Sequence, residues 1–289
     1  MKNVLIIILT AVTTIFSLEL EAHPGVGIVM DSQGNVFYTD LVHVWKISPE
    51  GDLSIAVKDV HTHQLFLDEN DNLYGEHVWY NGEERNTWSY YVWCLNSFGE
   101  IEYPVPETEG FPENNTLVRD RNDNSFFSKK SEVGEFLMKQ NSEGQIDRFG
   151  IHTFNNIRWI YSNNKASELL VIDHLNLKRV DENGDVTIIS GELHDSGKNH
   201  DDIKDMHYLM GVWTDKMDQI YVAAFGAKKV KKIDANGKVE TIYKSPMGWS
   251  PCGGLIAPNG TLWVMEFSVF NKTRVRKVNP NGKDEIFKE

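Results

Sequence analysis

A glycine-containing turn recurs six times along the chain, and its spacing constrains the fold more than any other feature. The copies are SPEGDLS from Ser48, NSFGEIE from Asn96, NSEGQID from Asn141, DENGDVT from Asp181, DANGKVE from Asp234 and NPNGKDE from Asn279. Their glycines are 48, 45, 40, 53 and 45 residues apart. Because glycine adopts positive φ without steric cost, each copy predicts a tight hairpin. The period is typical of the blades of a β-propeller.

A second series of turns alternates with the first. Its members are DSQGNVFYTD from Asp31, DENDNLYG from Asp68, DRNDNSFF from Asp120, SNNKASELLVID from Ser162, TDKMDQIYVA from Thr214 and APNGTLWVME from Ala257. The short β-branched and aromatic runs between the turns predict four strands, A to D, in each repeat. The sequence therefore predicts an all-β protein, a six-bladed β-propeller with four antiparallel strands per blade. It should begin at an innermost strand near Gly25 and end at an outermost strand, DEIFKE.

The N-terminal residues have the features of a secretory signal. Lys2 precedes an apolar run from Val4 to Leu18, and Ala22 precedes a candidate cleavage site before His23. A run of this length is shorter than the roughly 20 residues that cross a bilayer. We expect residues 1–22 to be removed and residues 23–289 to form a single propeller domain that is secreted or periplasmic. An uncleaved anchor is the alternative.

The net charge argues against nucleic-acid and membrane partners, and the two cysteines argue against a disulfide. The chain has 29 Lys and Arg against 42 Asp and Glu, a formal net charge of −13. Such a surface repels phosphate groups, so we expect no nucleic-acid partner, and no membrane partner after signal cleavage. Cys94 and Cys252 are predicted on strand C of blade 2 and strand A of blade 6, too far apart for a disulfide. The hydrophobic core must then provide the stability.

The long connections all map to one face of the predicted propeller. Since the strands of a blade are antiparallel, A–B and C–D turns lie on one face, and B–C loops and D–A crossovers lie on the other, which we call the loop face. The long segments assigned to it are 78–89, 103–114, 191–207, 245–251 and 267–272. All histidines except His43 also map there. Binding and catalytic residues concentrate on loops that a rigid scaffold holds, so the loop face is the predicted functional face.

Histidines and acids at the start of strand A and the end of strand B should surround the channel mouth. The candidate metal ligands, for Ca²⁺ through oxygen or Zn²⁺ through imidazole, are His63, Glu76, His77, Asn156, His207 and Glu266. The candidate catalytic residues, in which a carboxylate beside an imidazole would act as general base, are His63, Asp173, His174 and His207. The alternative for each acid is that it binds backbone N–H groups at the blade edge.

Two further segments of the loop face are candidates for a ligand-binding surface and for a lid. Aromatic residues near the blade 2 insertion and blade 6 offer a stacking surface for a sugar or another flat ligand, or else cover the rim of the core. They are Trp79, Tyr80, Trp88 and Trp249. The crossover GELHDSGKNHDDIKDMH, from Gly191 to His207, is predicted to be a solvated rim or lid, apart from His207, which is predicted to enter strand A of blade 5 beside the channel.

Two segments carry a resemblance to a known superfamily. GIVMDSQGNVFYTDLVHVWKISPEGDL and MGVWTDKMDQIYVAAFGAKKVKKIDANGKVETI resemble the NHL-repeat and gluconolactonase-like (senescence marker protein) six-bladed propellers, and the resemblance covers nearly all of residues 24–289. It implies a divalent metal at the channel mouth, held by a Glu that opens blade 1, by Asn side chains and by the Asp of a P-D-G segment. Asn156 in NNIRW is similar to one Asn ligand. Pro24 stands at the Glu position, and Leu209-Met210-Gly211 stands where P-D-G is expected.

Two hypotheses for function follow from different classes. The first is a secreted propeller that binds a small molecule or a protein partner through its loop face. The alternative is a divalent-metal-dependent hydrolase, lactonase-like, or a lyase, with its site at the channel mouth.

Overall fold

The structure is a computed structural model that describes residues 24–110, 118–120, 122, 124–162, 168–191, 193–195, 203, 207–280 and 283–288. Within these ranges the chain forms 23 β-strands in six antiparallel sheets. The predicted signal segment, residues 1–22, lies outside the described residues. In the part that is described, no helix is long and apolar enough to cross a membrane.

The six sheets follow one another along the chain as blades. Blade 1 consists of β1 (Ile28–Met30), β2 (Val36–Thr39), β3 (Val44–Ile47) and β4 (Leu53–Val57). Blade 2 consists of β5 (Leu65–Leu67), β6 (Leu73–Tyr80), β7 (Trp88–Leu95) and β8 (Ile101–Glu109). Blade 3 consists of β9 (Ser125–Ser131), β10 (Gly134–Gln140) and β11 (Ile146–Arg148), with an isolated bridge, Arg119 to Ser125, in place of its innermost strand.

The last three blades each have four strands. Blade 4 consists of β12 (Ile157–Ser162), β13 (Leu169–Asp173), β14 (Asn176–Val180) and β15 (Val186–Ser190). Blade 5 consists of β16 (Val212–Thr214), β17 (Ile220–Ala224), β18 (Lys229–Ile233) and β19 (Val239–Lys244). Blade 6 consists of β20 (Trp249–Ile256), β21 (Leu262–Ser268), β22 (Thr273–Val278) and β23 (Asp284–Phe287). The predicted six-bladed β-propeller is confirmed.

The ring closes by packing between the first and last blades, without a shared sheet. The inner strand β1 lies beside β5 and β20, and β20 also lies beside β16. Backbones come very close here, because Gly211 N–H donates to Cys252 O at 2.9 Å. A Cβ atom on Gly253 would lie 2.4 Å from Val26 O. Because they lack a Cβ atom, Gly211 and Gly253 therefore allow the inner strands of blades 1, 5 and 6 to lie close together.

Both turn series are built from the same side-chain hydrogen bonds. Asp31 Oδ1 accepts from the N–H groups of Gln33 at 3.0 Å and Asn35 at 2.7 Å. In seven other turns, the backbone N–H groups two and four residues later donate to a side-chain oxygen in the same way. The accepting residues are Asp68, Asp120, Asp215, Asn96, Asn141, Asp181 and Asp234. The Asp and Asn residues of the repeat thus satisfy backbone donors of the turns.

The core lies between neighbouring blades. Phe37 and Val44 of blade 1 pack against Leu65 and Trp93 of blade 2. Trp93 is fully buried, and its indole contacts Gly75 so closely that a Cβ atom at residue 75 would lie 2.1 Å from the ring. Truncating such an aromatic side chain to Ala costs about 3–5 kcal/mol. Hydrophobic packing rather than a disulfide joins the blades, since Cys94 and Cys252 are both free and buried.

Blade 2 differs from the loop that the sequence predicts for residues 78–89. The strand β6 continues to Tyr80 and β7 begins at Trp88, and these two residues are paired across the ladder. The segment 103–114 is also partly strand, because β8 continues to Glu109. The alternating aromatic and β-branched residues extend the sheet instead of leaving it at the blade edge.

Candidate functional site

Three of the predicted ligands come together at the loop-face end of blade 2. The Glu76 carboxylate accepts the backbone N–H of His63 at 2.6 Å and lies 3.2 Å from His63 Nδ1. His77 Nδ1 accepts the backbone N–H of His61 at 2.8 Å. The rings of His61 and His63 are in edge contact, with centroids 4.7 Å apart. This cluster forms because the segment before β5 lies alongside β6, where His61 O accepts from the N–H of Val78.

Two imidazoles of this cluster, those of His61 and His77, have pKa values lowered towards the neutral form. Burial, and then the neighbouring His63, lower the pKa of His61 below its usual value. Burial also lowers the pKa of His77. His61 Nδ1 lies 3.1 Å from Leu41 O and must therefore carry a proton, whereas His77 Nδ1 accepts a bond and must lack one. The nitrogen lone pair of His77 Nδ1 is thus already used inside the protein.

In blade 4 the predicted residues Asn156, Asp173 and His174 also lie together. Asp173 is completely buried, and its carboxylate accepts from Lys178 Nζ at 2.7 Å and from the Asn156 N–H at 2.7 Å. Asn156 O accepts the N–H of His174 at 2.8 Å. The Asn156 contacts run through its backbone, and Lys178 neutralises the Asp173 carboxylate. These contacts favour the architectural alternative for Asp173.

Glu266 has a similar environment in blade 6. It is completely buried, and its carboxylate accepts from Arg274 Nε at 2.7 Å, from Arg276 Nε at 3.4 Å and from the Tyr243 hydroxyl at 2.9 Å. Burial, together with the Glu266 charge, raises the pKa of Tyr243, so this hydroxyl remains a donor. Two guanidinium groups and one phenol thus donate to this buried carboxylate, and the two arginines neutralise its charge.

The residues present do not fit the divalent metal that the superfamily resemblance implies. Within the described ranges, no group of three or more His, Cys, Asp or Glu side chains is arranged to hold a metal ion. His63, Glu76 and His77 lie together at blade 2, but the other predicted ligands belong to blades 4, 5 and 6, and the Glu266 carboxylate already accepts three hydrogen bonds. A metal ligand needs a free lone pair. The metal-binding and catalytic roles of His63, Glu76, His77, Asn156, Asp173, His174, His207 and Glu266 stay predictions.

The crossover between blades 4 and 5 is attached to blade 5 by a residue predicted to be solvated. The Asp195 carboxylate accepts from Lys229 Nζ at 2.6 Å and also from Lys231 Nζ, a side chain that is almost fully buried. Burial alone would raise the pKa of Asp195, but the two lysines lower it. Asp195 is exposed, as predicted for the rim, and it also supplies the counter-charge that the buried Lys231 requires.

The histidines of this crossover lie outside the strands of blade 5 where the structure describes them. His207 lies half-buried in a turn, and β16 begins only at Val212, so the prediction that His207 enters strand A is wrong. Just before this strand, the Gly211 backbone passes close to Cys252 O. The ring of His194 is in edge contact with Tyr208, with centroids 6.4 Å apart. His200, Asp201 and Asp202 lie outside the described residues.

Four rings form a continuous strip across blade 2, which we call the aromatic strip: His77, Trp79, Tyr91 and Tyr103. The centroid distances are 4.9 Å from His77 to Tyr91, 5.1 Å from His77 to Trp79, 5.8 Å from Trp79 to Tyr91 and 5.4 Å from Tyr91 to Tyr103. Tyr103 is 60% exposed, and the other three rings are half-buried. Sequence reasoning found Trp79 but missed Tyr91 and Tyr103, because only the strand register brings them beside it.

The other predicted stacking residues lie elsewhere. Tyr80 and Trp88 form an exposed pair at the end of the β6–β7 hairpin, with centroids 5.4 Å apart. Trp249 is covered by the Arg274 guanidinium, which lies 3.7 Å from the ring centroid. The predicted stacking surface is therefore divided among three places, and Trp249 serves an internal contact.

Exposed apolar side chains concentrate at the connections of the loop face. We call the following residues the loop-face tips: Val42, Tyr80, Trp88, Val133, Ile151, Met247, Val269 and Phe270. Among the described residues, the turns of the opposite face expose only two large hydrophobic side chains, Phe98 and Met217. The remaining exposed ones lie on outer edge strands. The two faces thus differ in apolar character, in addition to loop length.

Solved structures with the same fold support the architecture. A virginiamycin B lyase from Staphylococcus aureus aligns with a TM-score of 0.52 and 13% identity over 92% of this chain and 84% of the lyase. A calcium-binding regucalcin from Agrobacterium tumefaciens aligns with a TM-score of 0.55 and 11% identity over 84% and 81% of the two chains. A gluconolactonase from Xanthomonas campestris aligns with a TM-score of 0.54 and 10% identity over 91% and 85%.

The resemblance predicted from the sequence is confirmed at the level of the fold. Such low identities show a shared architecture and do not transfer a reaction or a ligand. Neither a protein-family model nor a curated protein matches the sequence at a significant level.

Proposed function

We propose that this chain is a binding propeller that recognises a partner protein through its loop face, after export and removal of residues 1–22. The observation that carries the proposal is the set of loop-face tips. When a partner covers apolar side chains, each Å² of apolar surface removed from water contributes about 25 cal/mol of favourable free energy. Contiguous exposed apolar patches mark interaction sites, and the concentration of these tips on one face is the feature that favours a recognition surface there.

The distribution of the tips favours a protein over a small molecule. The tips belong to the B–C connections of blades 1, 2, 3 and 6 and to the crossovers before blades 4 and 6. A small ligand would contact one or two of these connections, whereas a protein surface spans several of them. The propeller supplies a rigid support, so little conformational entropy is lost on binding.

The buried acids of blades 4 and 6 do not favour the metal-dependent hydrolase or lyase alternative. The buried carboxylates of Asp173 and Glu266 are each neutralised within their own blade. Neither is left as a free base or as a ligand, and we therefore derive no step of catalysis from them.

Substitutions on the two faces test the proposal. The loop-face variant combines Ile151→Ser, Met247→Ser and Phe270→Ser, and the control variant combines Phe98→Ser and Met217→Ser on the opposite face. All five side chains are exposed, so neither variant should lose core packing. The immobilised proteins are incubated with the extracellular fraction of the source, and each retained protein is quantified.

We expect the wild type and the control variant to retain the same partner, and the loop-face variant to lose it. Binding of the purified partner to the three proteins then confirms direct contact. Equal retention by both variants would show that the loop face is not the recognition surface.

A further inference from the structure

The blade 2 hairpin extends beyond its neighbour and exposes the aromatic strip. The strands β2 and β6 start at equivalent places, since Val36 and Leu73 each pair with the last residue of their inner strand. However, β2 has 4 residues and β6 has 8. The additional residues of β6 continue past the point at which blade 1 turns back. Among the described residues, the strands of blade 1 therefore do not extend alongside the outer part of the strip.

Blade 2 also carries most of the negative charge of the chain. Residues 61–110 contain ten acids and one base, Arg85, so their net charge is 1 − 10 = −9 out of −13. The acids are Asp68, Glu69, Asp71, Glu76, Glu83, Glu84, Glu100, Glu102, Glu107 and Glu109. All the lysines and every other arginine lie outside this segment. Glu76 alone among the ten is buried.

Part of this charge lies beside the strip. Glu109 pairs with Ser89 across the β7–β8 ladder, so both point to the same side of the sheet as Tyr91, two residues along β7. Glu107 and Glu109 are exposed on the edge strand, and Glu83 and Glu84 are exposed at the hairpin end. The strip thus combines π faces with an acidic surround.

We propose that the aromatic strip binds an arginine- and lysine-rich segment of a partner protein, an inference that rests on the proposed function of the loop face. Cationic groups are attracted to the face of Trp and Tyr rings within about 6 Å, and nearby carboxylates add to this attraction. Arginine suits the site best because its planar guanidinium stacks on aromatic rings. The protein uses this contact internally, where the guanidinium groups of Arg148 and Arg274 lie 3.7 Å from the ring centroids of Phe136 and Trp249.

The shape of the strip favours a linear segment over a single small cation. The rings lie side by side across three strands from His77 to Tyr103 and do not form a box around one point. An open arrangement desolvates a lone ammonium ion poorly, whereas a peptide places several basic side chains along the rings at once. A neutral sugar would stack on the rings but would gain nothing from the carboxylates on the same side of blade 2, such as Glu109.

Fluorescence anisotropy with labelled oligo-arginine and oligo-lysine peptides tests the inference on the processed full chain at physiological salt. The test variants are Tyr103→Ala and Trp79→Ala. The matched control is Phe98→Ala, which removes a 90% exposed ring from the same acidic blade, on the opposite face and without a change in charge. Circular dichroism melting verifies folding. If Trp79→Ala fails to fold, Tyr103→Ala alone tests peptide binding by the strip. This variant should fold because Tyr103 is largely exposed.

We expect oligo-arginine to bind more tightly than oligo-lysine, and each test variant to weaken oligo-arginine binding by about 3- to 30-fold. Phe98→Ala should leave the affinity unchanged. Absence of peptide binding, equal affinities of Tyr103→Ala and Phe98→Ala, or tighter binding of a neutral oligosaccharide would each overturn the inference. The loop-face variant should keep its peptide affinity, so loss of the partner by that variant tests the proposed function separately.

Discussion

Lys178 Nζ donates a hydrogen bond to Asp173 Oδ2 at 2.7 Å, and both side chains are buried. Asp173 lies at the end of strand B of blade 4, where the sequence predicts a catalytic residue. In the structure it is one half of an internal ion pair. Glu266 forms the corresponding pair with Arg274 in blade 6. The carboxylates of Asp173 and Glu266 are thus each neutralised within their own blade, and the recognition surface that we propose is the loop face.

The Asp173→Asn substitution should destabilise the protein. It leaves the Lys178 ammonium buried without a counter-charge, which costs about 3–5 kcal/mol. For a chain of this size the melting temperature should fall by about 10 °C, measured by differential scanning calorimetry. Adding Lys178→Met should recover part of the loss, because the uncompensated charge is then removed as well.

An exposed ion pair provides the control for this prediction. Lys277 and Glu285 are 3.5 Å apart at the surface of blade 6. Because such pairs contribute about 0–1 kcal/mol, Glu285→Gln should change the melting temperature only slightly. If Asp173→Asn proved as mild as Glu285→Gln, the architectural role of Asp173 would be refuted.

Divalent metals should not stabilise the protein. The predicted ligands do not form a group that holds an ion, and a metal raises the melting temperature only when it binds the folded state. We expect the melting temperature to be the same with Ca²⁺, Zn²⁺, Mn²⁺ or EDTA. A rise with one metal that disappears in Glu266→Gln or His63→Ala would contradict this expectation and would restore the metalloenzyme alternative.

Acid should weaken the fold through the histidines of blade 2. The pKa values of His61 and His77 are lowered below the value of 6.5 that an unfolded chain has. The unfolded state therefore binds more protons in the window below pH 6.5, and the free energy of unfolding falls as the pH drops through it. Protonation of His77 Nδ1 would also abolish the bond from the His61 N–H.

Thermal melting between about pH 7.5 and about pH 5.5 measures this effect. The melting temperature should fall on acidification, and the fall should be smaller in His77→Gln, whose amide oxygen accepts the same bond without titrating. An unchanged slope in His77→Gln would show that other groups control the response.

Both thiols should resist modification in the folded protein. Burial raises the pKa of Cys94 and of Cys252, so neither forms a reactive thiolate at neutral pH. An aromatic disulfide reagent should detect no thiol in the native state and both thiols after unfolding in guanidinium chloride. Rapid reaction of one thiol without denaturant would contradict its burial.

The turn repeat made the fold predictable from the sequence. The glycine period set the number of blades, and the strand assignments followed because A–B and C–D turns use Asp and Asn at fixed positions, as Asp31 and Asp181 do. The absence of a Cys94–Cys252 bridge was predictable from the same topology. These are local signals, in which neighbouring residues carry the information.

The details of the candidate site depend on contacts between distant residues. The pairing of Asp195 with Lys231 joins residues 36 positions apart, and no local pattern marks it. The strip from His77 to Tyr103 depends on the register of three strands, and the connection predicted over residues 78–89 is shorter because β6 continues to Tyr80 and β7 begins at Trp88. Composition shows which residue types are present, but register and ion pairing decide which of them meet.

Hydroxyl-radical footprinting of two methionines tests the loop-face proposal most directly. Met247 is a loop-face tip with 94% exposure, and Met217, on the opposite face, has 71% exposure. The protein is oxidised alone and together with the extracellular fraction of its source, and sulfoxide formation at each residue is measured by mass spectrometry. We predict that the partner protects Met247 and leaves Met217 unchanged. Protection of Met217 with Met247 still oxidised would contradict the proposal that the loop face is the recognition surface.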